Sequence, residues 1–351
     1  MRDIDKLLIT WYYILGEIMI NITTFDCLNG TEIKAFTLKN QNLEVTILNF
    51  GGIIQSFKVF DKEDIVLGFD NVSDYLKYDI YAGAVVGRVA NVIENAKYTL
   101  NGETYTLTKN AGENCNHSGL SGFDKRIFDY KIDGDKLILS TFSPDGEGGF
   151  GGNLNFKVEY SLNDSDLLIE FTANSDKDTP FAPTMHPYFN LSGGENIYDT
   201  ILQIKSDTIT AVDSNGVPTG ELLSVKNTPF DFTLDKPIGK DIFSDNKELK
   251  RANGYDINYL TEESLKAIAY DKKSGITLGI YSDMLGVQLY TANDLSGEVG
   301  KNGKIYRKHG AFCIEPQFVP NAVNKPIYDS PIIKKNQEIT HYIAYSTKLL
   351  K

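Results

Sequence analysis

Two short segments hold the residues best suited to proton transfer in this chain. His186 and Glu315 each stand immediately before a proline, Pro187 and Pro316 respectively. A following proline favours extended backbone, in which alternate residues share a face, so we expect Glu315 and Gln317 on one face. Because Glu315 directly follows the apolar run Phe-Cys-Ile, partial burial would raise its pKa, as suits a general base.

Other polar residues could join this pair. Extended backbone also places Tyr188 on the face of His186. His117 lies in a polar, glycine-containing loop, Asn114–Gly119, and Asp256 directly follows a Gly-Tyr pair. Loops of this kind on a rigid scaffold often carry ligand contacts. These residues predict a polar site for cofactor-free proton transfer, but they do not name its substrate.

Each candidate also has a purely structural interpretation. A lone histidine in a β protein is more often a packed or surface residue than a catalyst. Glu315 could pair with a buried arginine, and Asp256 could simply form a turn. A metal site built from His117, His186 and Glu315 is disfavoured, because no His-x-His or His-x-x-x-His spacing supports it. We therefore expect neither a metal nor a cofactor.

Composition and charge argue against several classes of partner. The 351 residues are 41% apolar and 23% charged, which is ordinary for a globular protein. The net charge of −12, without a basic block, argues against nucleic acid and anionic membranes. Cys27, Cys115 and Cys313 are odd in number and widely spaced, which disfavours a disulfide framework or a zinc site. Reduced thiols in a cytoplasmic protein are the simplest expectation.

The N-terminus allows more than one interpretation. Leu7–Leu15 is an apolar run of nine residues, shorter than the ~20 needed to span a bilayer. Neighbouring charges cancel and no A-x-A-like cleavage site follows, so a secretory signal peptide is disfavoured. Met19 could be the natural start, which would leave residues 1–18 as an extension of uncertain status.

The elements that must position the candidate residues are β-strands. Apolar and polar residues alternate over 43–49, the period of a half-buried strand. Asn101-Gly102 between two such runs predicts a hairpin with a type I′ turn. No window of twelve or more residues after residue 20 shows a helical stripe, and turn clusters recur at short intervals. Further strands are predicted over 53–60, 130–132, 136–139, 156–160, 167–171, 312–315 and 341–345. We predict an all-β protein, a large antiparallel β-sandwich in one domain over residues 19–351.

A glycine-rich segment matches the pattern of a nucleotide-binding loop. Residues 146–151 fit GxGxxG literally. The dinucleotide fingerprint needs a strand before it and a helix after it, whereas a predicted strand follows here. We therefore expect a glycine-rich loop between strands and no bound nucleotide.

A series of short motifs extends along nearly the whole chain after Met19. In order, they are Asn49-Phe-Gly-Gly52, Val66-Leu-Gly-Phe69, Gly87-Arg-Val-Ala-Asn91, Asn101-Gly-Glu-Thr-Tyr105, Asn114–Gly119, Gly122-Phe-Asp-Lys-Arg126, Ser143-Pro-Asp-Gly146, His186-Pro-Tyr-Phe-Asn-Leu-Ser-Gly193, Pro218-Thr-Gly220, Gly254-Tyr-Asp256, Gln288-Leu-Tyr-Thr291 and Glu315-Pro-Gln317. Any one of them would be a weak signal. Together and in this order they resemble the aldose 1-epimerase family, also called galactose mutarotases.

The resemblance implies a fold, an activity and residue roles. The fold is a large antiparallel β-sandwich, and the activity interconverts the α and β anomers of free aldoses such as galactose and glucose, without a cofactor. Glu315 would be the base at the anomeric hydroxyl, and His186 the acid at the ring oxygen. His117 would bond the sugar near that oxygen. At neutral pH an ordinary carboxylate is ionised and an imidazole partly protonated, so we expect the pair to start in the required states. The sugar hydroxyls would be held by Asn91, Tyr188, Asp256 and Gln288.

Three positions depart from the family pattern. The arginine that usually follows the Val-Ala-Asn motif is Val92 here, which cannot donate a hydrogen bond. The residue after Asp256, commonly histidine in the family, is Ile257, and the leucine before the loop histidine is Asn116. The acid and base remain, so the departures bear on substrate choice and affinity. Arg88 or Asn116 could supply the missing donor.

Three other functions remain open at this point. Val92 leaves room for a non-catalytic sugar-binding or sensing protein on the same fold, although retention of His186 and Glu315 disfavours it. A mutarotase of hexose phosphates would need a basic pocket, and no arginine cluster lies near the motifs. A glycosidase using Glu315 and Asp256 would release a sugar from a glycoside. The preferred aldose and the oligomeric state stay open.

Overall fold

The structure is a computed structural model that describes residues 18–62, 64–325 and 327–350. Its strands in the first part of the chain are β1 Met19–Leu28, β2 Thr31–Lys39, β3 Leu43–Leu48, β4 Ile54–Val59, β5 Val85–Val86, β6 Val92–Ile93, β7 Lys97–Leu100, β8 Glu103–Thr106, β9 Cys115–Asn116, β10 Asp129–Asp133, β11 Lys136–Ser143, β12 Leu154–Asn163, β13 Asp166–Ser175 and β14 Thr179–Pro180. The later strands are β15 Thr184–Met185, β16 Ile201–Ile204, β17 Thr208–Val212, β18 Pro218–Ser224, β19 Lys236–Pro237, β20 Asp256–Leu260, β21 Leu265–Tyr270, β22 Ile276–Ser282, β23 Gly286–Tyr290, β24 Ser296–Val299, β25 Ile305–Arg307, β26 Cys313–Gln317, β27 Ile332–Ile333 and β28 Glu338–Leu349. The prediction for residues 1–18 lies, except for Ile18, outside the described residues.

Three large antiparallel sheets make up the sandwich. One has the order β1-β2-β3-β4, the second β10-β11-β12-β13-β28-β22-β21-β16-β19, and the third β18-β17-β20-β23-β26. Short two-stranded ladders join β14 to β27, β15 to β5, β24 to β25, β6 to β9 and β7 to β8. The predicted fold class, all-β with large antiparallel sheets, is confirmed.

One hydrophobic core joins the three sheets. The nine-stranded sheet contributes Val158 and Leu278, the four-stranded sheet Val45, and the five-stranded sheet Leu289 and Ile314. In β12 every second residue is buried, as expected where a strand has one face on a core. The single domain over residues 19–351 stays a prediction, which this shared core supports.

The predicted turns are found where the sequence places them. Asn101 and Gly102 both have positive φ, 52° and 81°, as a type I′ turn requires, and β7 pairs antiparallel with β8 across them. The glycine-rich loop lies between β11 and β12, so a strand follows it. A side chain at Gly149 would collide with the carbonyl oxygen of Thr106, which explains a glycine there.

Helices are few and short in the described part of the chain. The two α-helices are α1 Val72–Tyr78 and α2 Lys247–Ala252. Asn71 caps α1 by accepting from the Asp74 amide, and Asp79 ends it in the left-handed conformation. No described helix is long and apolar enough to cross a membrane. Helix α1 matters for the site because its C-terminal end leads directly to Tyr81.

Candidate active site

The five-stranded sheet has one apolar and one polar face, and the polar face carries three of the predicted site residues, Asp256, Gln288 and Glu315. Asn258 of β20 pairs with Gln288 of β23, which pairs with Glu315 of β26. Because side chains alternate along a strand, Asp256 and Gln317 lie on this same face. The neighbouring residues of opposite parity belong to the hydrophobic core: Ile257, Tyr259, Val287, Leu289 and Ile314.

Two prolines fix the backbone on which His186 and Glu315 stand. Pro316 lies in β26, the last strand of its sheet, where a residue without an N–H is tolerated. His186 is extended and pairs with the segment before β5: its amide donates to the carbonyl of Ala84, and its carbonyl accepts from Gly83. The expectation of extended backbone before both prolines agrees with this geometry.

His186 and Glu315 face each other in a buried setting. His186 Nε2 lies 3.6 Å from Glu315 Oε1, and the residues are only 5% and 2% exposed. The other ring nitrogen, Nδ1, lies 3.6 Å from the sulfur of Cys313, which alternation places on the face of Glu315. The second oxygen of Glu315, Oε2, has no hydrogen-bond partner among the described residues.

Burial shifts both pKa values away from our expectation that Glu315 is ionised and His186 partly protonated at neutral pH. It lowers the pKa of His186 to about 4, and it raises the pKa of Glu315 well above its usual range, with the charge of Asp256 adding to the effect. Both shifts favour the neutral forms of His186 and Glu315 in their buried setting. The neutral pair and the ion pair nevertheless hold the same number of protons, one, so a transfer between the two residues produces a carboxylate base and an imidazolium acid.

His117 is fixed as a neutral hydrogen-bond donor. The backbone amide of Asn91 donates to its Nδ1 at 3.1 Å, and its own amide donates to the Asn91 carbonyl. Burial, with the nearby His186, lowers the pKa of His117 to about 3. The remaining proton is therefore on Nε2. The rings of His117 and His186 lie 5.6 Å apart, so this donor is close to the pair.

Asp256 and Gln288 are joined by a hydrogen bond beside Glu315. Gln288 Nε2 donates to Asp256 Oδ1 at 2.7 Å, which leaves Gln288 Oε1 buried without a partner. Burial raises the pKa of Asp256. Tyr188 stacks on His186 with ring centroids 5.1 Å apart. The structure thus brings the predicted residues into one contiguous set: Asn91, His117, His186, Tyr188, Asp256, Gln288 and Glu315.

Tyr81 and Cys313 are neighbours of the pair that our sequence reasoning missed. The ring of Tyr81 lies 4.6 Å from that of His117 and 6.0 Å from that of His186, and Tyr81 is partly exposed. Cys313 could have been found by alternation from Glu315. No sequence signal marks Tyr81, because a positive φ of 58° just after α1 places it there.

The structure places the departures from the family pattern and the two candidate replacement donors differently. Ile257 is buried in the hydrophobic core on the far face of β20. Contrary to our expectation, its side chain therefore points away from the site. The expectation that Arg88 replaces the donor missing at Val92 is wrong. Its guanidinium is buried and donates to Ser143 and to the carbonyls of Pro144 and Gly151.

Val92 does bear on the site. It follows Asn91 and pairs directly with Asn116, the residue before His117. The side chain of Asn116 has no hydrogen-bond partner among the described residues and is partly exposed. Asn116 therefore stays available as the replacement donor, whereas Val92 offers only apolar contact.

Metal-binding geometry is not found in the described residues. No group of three or more histidine, cysteine, aspartate or glutamate side chains is arranged there to hold a metal ion. His186 and Glu315 instead point their polar atoms at each other. This arrangement can hold and move a proton within the pair.

A buried His–Glu pair among polar side chains, with Glu315 on the edge strand of the five-stranded sheet, is an arrangement suited to acid–base chemistry on a β-sandwich. The family model described as aldose 1-epimerase matches residues 34–346. Galactose mutarotase of Sus scrofa is 37% identical over 320 residues, covering 88% of this chain and 92% of its own length. Aldose 1-epimerase of Escherichia coli strain K12 is 31% identical over 342 residues, covering 93% and 99%.

Solved structures agree with these relatives. Galactose 1-epimerase from Lactobacillus acidophilus aligns with a TM-score of 0.85 at 25% identity, over 95% of this chain and all of that one. An aldose epimerase homologue from C. elegans aligns with a TM-score of 0.83 at 27% identity. The chain belongs to the aldose 1-epimerase family, which is a family of isomerases. The resemblance and the enzyme class are confirmed, while the roles of individual residues stay predictions.

Proposed function

We propose that this protein interconverts the α and β anomers of free aldohexoses, galactose and glucose among them, with Glu315 as base and His186 as acid. The observation that best supports these roles is the buried pair itself, in which His186 Nε2 lies 3.6 Å from Glu315 Oε1. Relatives called galactose mutarotase and aldose 1-epimerase, at 31–37% identity over most of the chain, support the reaction and the monosaccharide substrate.

The reaction needs two proton transfers. Glu315 takes the proton from the anomeric hydroxyl while His186 gives one to the ring oxygen, and the C1–O5 bond breaks. The open-chain aldehyde rotates about C1–C2, and closure on the other face returns both protons. The pair therefore ends with the single proton with which it began. Positioned acid–base groups typically contribute about 10²–10⁴-fold each.

The substrate also selects the reactive form of the pair. An anomeric hydroxyl that donates to Glu315 stabilises the carboxylate, because hydrogen bonds to the charged form lower a pKa. His117, with its proton on Nε2, would donate to the sugar near the ring oxygen. Asn91, Tyr188, Asp256 and Gln288 would hold the other hydroxyls. Asp256 and Gln288 already form one bonded unit, which suits a fixed orientation of the ring.

We also propose a cytoplasmic location. The exposed Cys27 and the buried Cys115 and Cys313 are all free thiols. Free thiols, an exposed one above all, are typical of a reducing compartment. The protein would then meet free monosaccharides inside the cell.

Polarimetry of freshly dissolved α-D-galactose and α-D-glucose tests the reaction. The protein should speed relaxation to the spontaneous end point, and Glu315→Gln should lose about 10³-fold or more of that acceleration. Glu298→Gln is the matched control. Glu298 is also buried, but it accepts from the amides of Ser296 and Gly297, so its variant should turn over normally.

The same measurement separates the other functions. Sugar binding without acceleration, by folded protein, would overturn the proposal in favour of a non-catalytic binder. Acceleration only with hexose 6-phosphates would overturn the substrate class. Release of sugar from a glycoside would place Glu315 and Asp256 in a glycosidase instead.

A further inference from the structure

Unpartnered polar atoms concentrate on one face of the site sheet. Twelve buried side-chain nitrogen and oxygen atoms of the described residues lack a hydrogen-bond partner. Six of the twelve belong to four residues on the polar face of β20, β23 and β26: Asn258, Gln288, Glu315 and Gln317. Buried polar groups in proteins are normally paired, so this concentration calls for an explanation.

Two of these residues, Asn258 and Gln317, have no role in the proposed reaction. Gln317 is fully buried, and both ends of its amide are unpartnered. It lies two residues after Glu315 on the same strand and face, where a long side chain can reach back along the strand. Asn258 is also buried with both amide atoms unpartnered.

Gly286 leaves room for the Asn258 amide beside the strand that carries Gln317. It pairs with Gln317 in the register of β23 and β26. A Cβ placed on Gly286 would lie 3.0 Å from Asn258 Nδ2 and 2.8 Å from the Gln317 carbonyl oxygen. The Asn258 amide therefore lies over the glycine, towards the strand that carries Gln317 and Glu315.

We propose that Gln317 is a positioning residue for Glu315: its Nε2 donates to Oε2 of Glu315, and Asn258 Nδ2 donates to Oε1 of Gln317. The two bonds satisfy four of the six unpartnered atoms, and they require side-chain rotations within the buried face. With Oε2 held, Oε1 stays directed at His186 and at the anomeric hydroxyl. The inference rests on the proposed function of Glu315.

A neutral donor is what Glu315 needs in these surroundings. The titratable groups near its carboxyl group are His186, Tyr188, Asp256, Cys313 and Tyr345. The charge of Asp256 works against a second carboxylate. An amide donor stabilises the ionised form of Glu315 without adding a cation that would compete for that role with the imidazolium of His186.

Gln317→Met tests the inference, because it keeps the length and volume of the side chain and removes its hydrogen bonds. We expect kcat to fall about 10–100-fold, as for other supporting groups that orient a reactive side chain. The KM should be unchanged, since the proposed role of Gln317 involves no contact with the sugar. Carboxyl ¹³C NMR, with the Glu315 signal assigned through Glu315→Gln, should show a higher pKa for Glu315 in Gln317→Met.

Two further variants keep the test decisive. Asn258→Leu should change kcat and the Glu315 pKa in the same direction but less, because it acts through Gln317. Thr200→Val, which removes another buried unpartnered hydroxyl outside the site, should change neither. An unchanged kcat and Glu315 pKa in Gln317→Met would overturn the inference. If Gln317→Met does not fold, an unchanged kcat and Glu315 pKa in Asn258→Leu would overturn it instead.

The outcome is separable from the proposed function. If the unchanged protein accelerates mutarotation and Gln317→Met does so equally well, only the positioning role fails. If the unchanged protein does not accelerate mutarotation, the proposed function fails, and the NMR titration alone still shows whether Gln317 bonds to Glu315.

Discussion

Arg88 and Glu315 are two buried charged residues of nearly equal exposure, each 2% exposed, and they are treated in opposite ways. The guanidinium of Arg88 donates to Ser143 and Thr179 and to the carbonyls of Pro144 and Gly151. Glu315 has one oxygen near His186 and the other without a partner. Burial lowers the pKa of Arg88 only to about 10, so Arg88 keeps its charge. Burial raises the pKa of Glu315 well above its usual range.

The difference separates structure from function. A buried charge whose bonds are complete holds loops together, and its loss leaves several carbonyls unpaired. A buried ionisable group whose hydrogen bonds are incomplete costs stability and is tolerated where function needs it. The bonds of Arg88 accordingly tie the β11–β12 loop to residues 87–91, and the face that carries Glu315 is where we propose that the reaction takes place.

The largest effect should come from the other half of the reactive pair. His186→Asn removes the proposed acid, and we expect kcat to fall about 10²–10⁴-fold with little change in the free energy of unfolding. Stopped-flow polarimetry and chemical denaturation measure the two quantities. A His186→Asn protein that keeps its turnover would show that His186 is not the acid.

Arg88→Met should show the reverse pattern. It leaves the carbonyls of Ser143, Pro144 and Gly151 without their donor, so we expect the free energy of unfolding to fall by about 3 kcal/mol or more. The turnover per folded molecule should stay unchanged. Lost turnover in a folded Arg88→Met protein would show that Arg88 acts in the site after all.

The pH dependence of kcat/KM reports how many protons His186 and Glu315 hold between them. Between the lowered pKa of His186, about 4, and the raised pKa of Glu315, the pair keeps one proton. Below about pH 4 a second proton enters and removes the base; above the pKa of Glu315 the last proton leaves and removes the acid. We expect kcat/KM to be bell-shaped with these limbs. An acid limb at 6.5, the ordinary histidine value, would contradict the burial argument.

The smallest effect should come from Tyr81. Tyr81→Leu removes the ring that packs against His117 and His186, and we expect a loss of about tenfold in kcat/KM, since packed neighbours restrict but do not perform proton transfer. Tyr105→Leu, at a tyrosine that contacts neither histidine, is the control. Equal losses in the two variants would assign the effect to stability rather than to the site.

Much of the site could be predicted from local rules. The X-Pro dipeptides and strand alternation placed His186 and Glu315 on extended backbone, and the same alternation shows why Ile257, next to Asp256, must face the core. The role of Arg88 could not be predicted, because a motif shows that a charge is present but not which carbonyls surround it. Tyr81 depends on a left-handed residue after α1, and the missing partners of the Gln317 amide depend on which side chains surround it; both arise from tertiary packing.

The most direct test of the central claim measures two quantities on one variant, Glu315→Gln: its mutarotation rate and its free energy of unfolding. Because Oε2 of Glu315 is buried without a partner, replacing the carboxyl group by an amide of the same size should abolish acceleration while leaving the protein at least as stable as the unchanged one. A Glu315→Gln protein destabilised as strongly as Arg88→Met, or one that still accelerates mutarotation, would contradict the account.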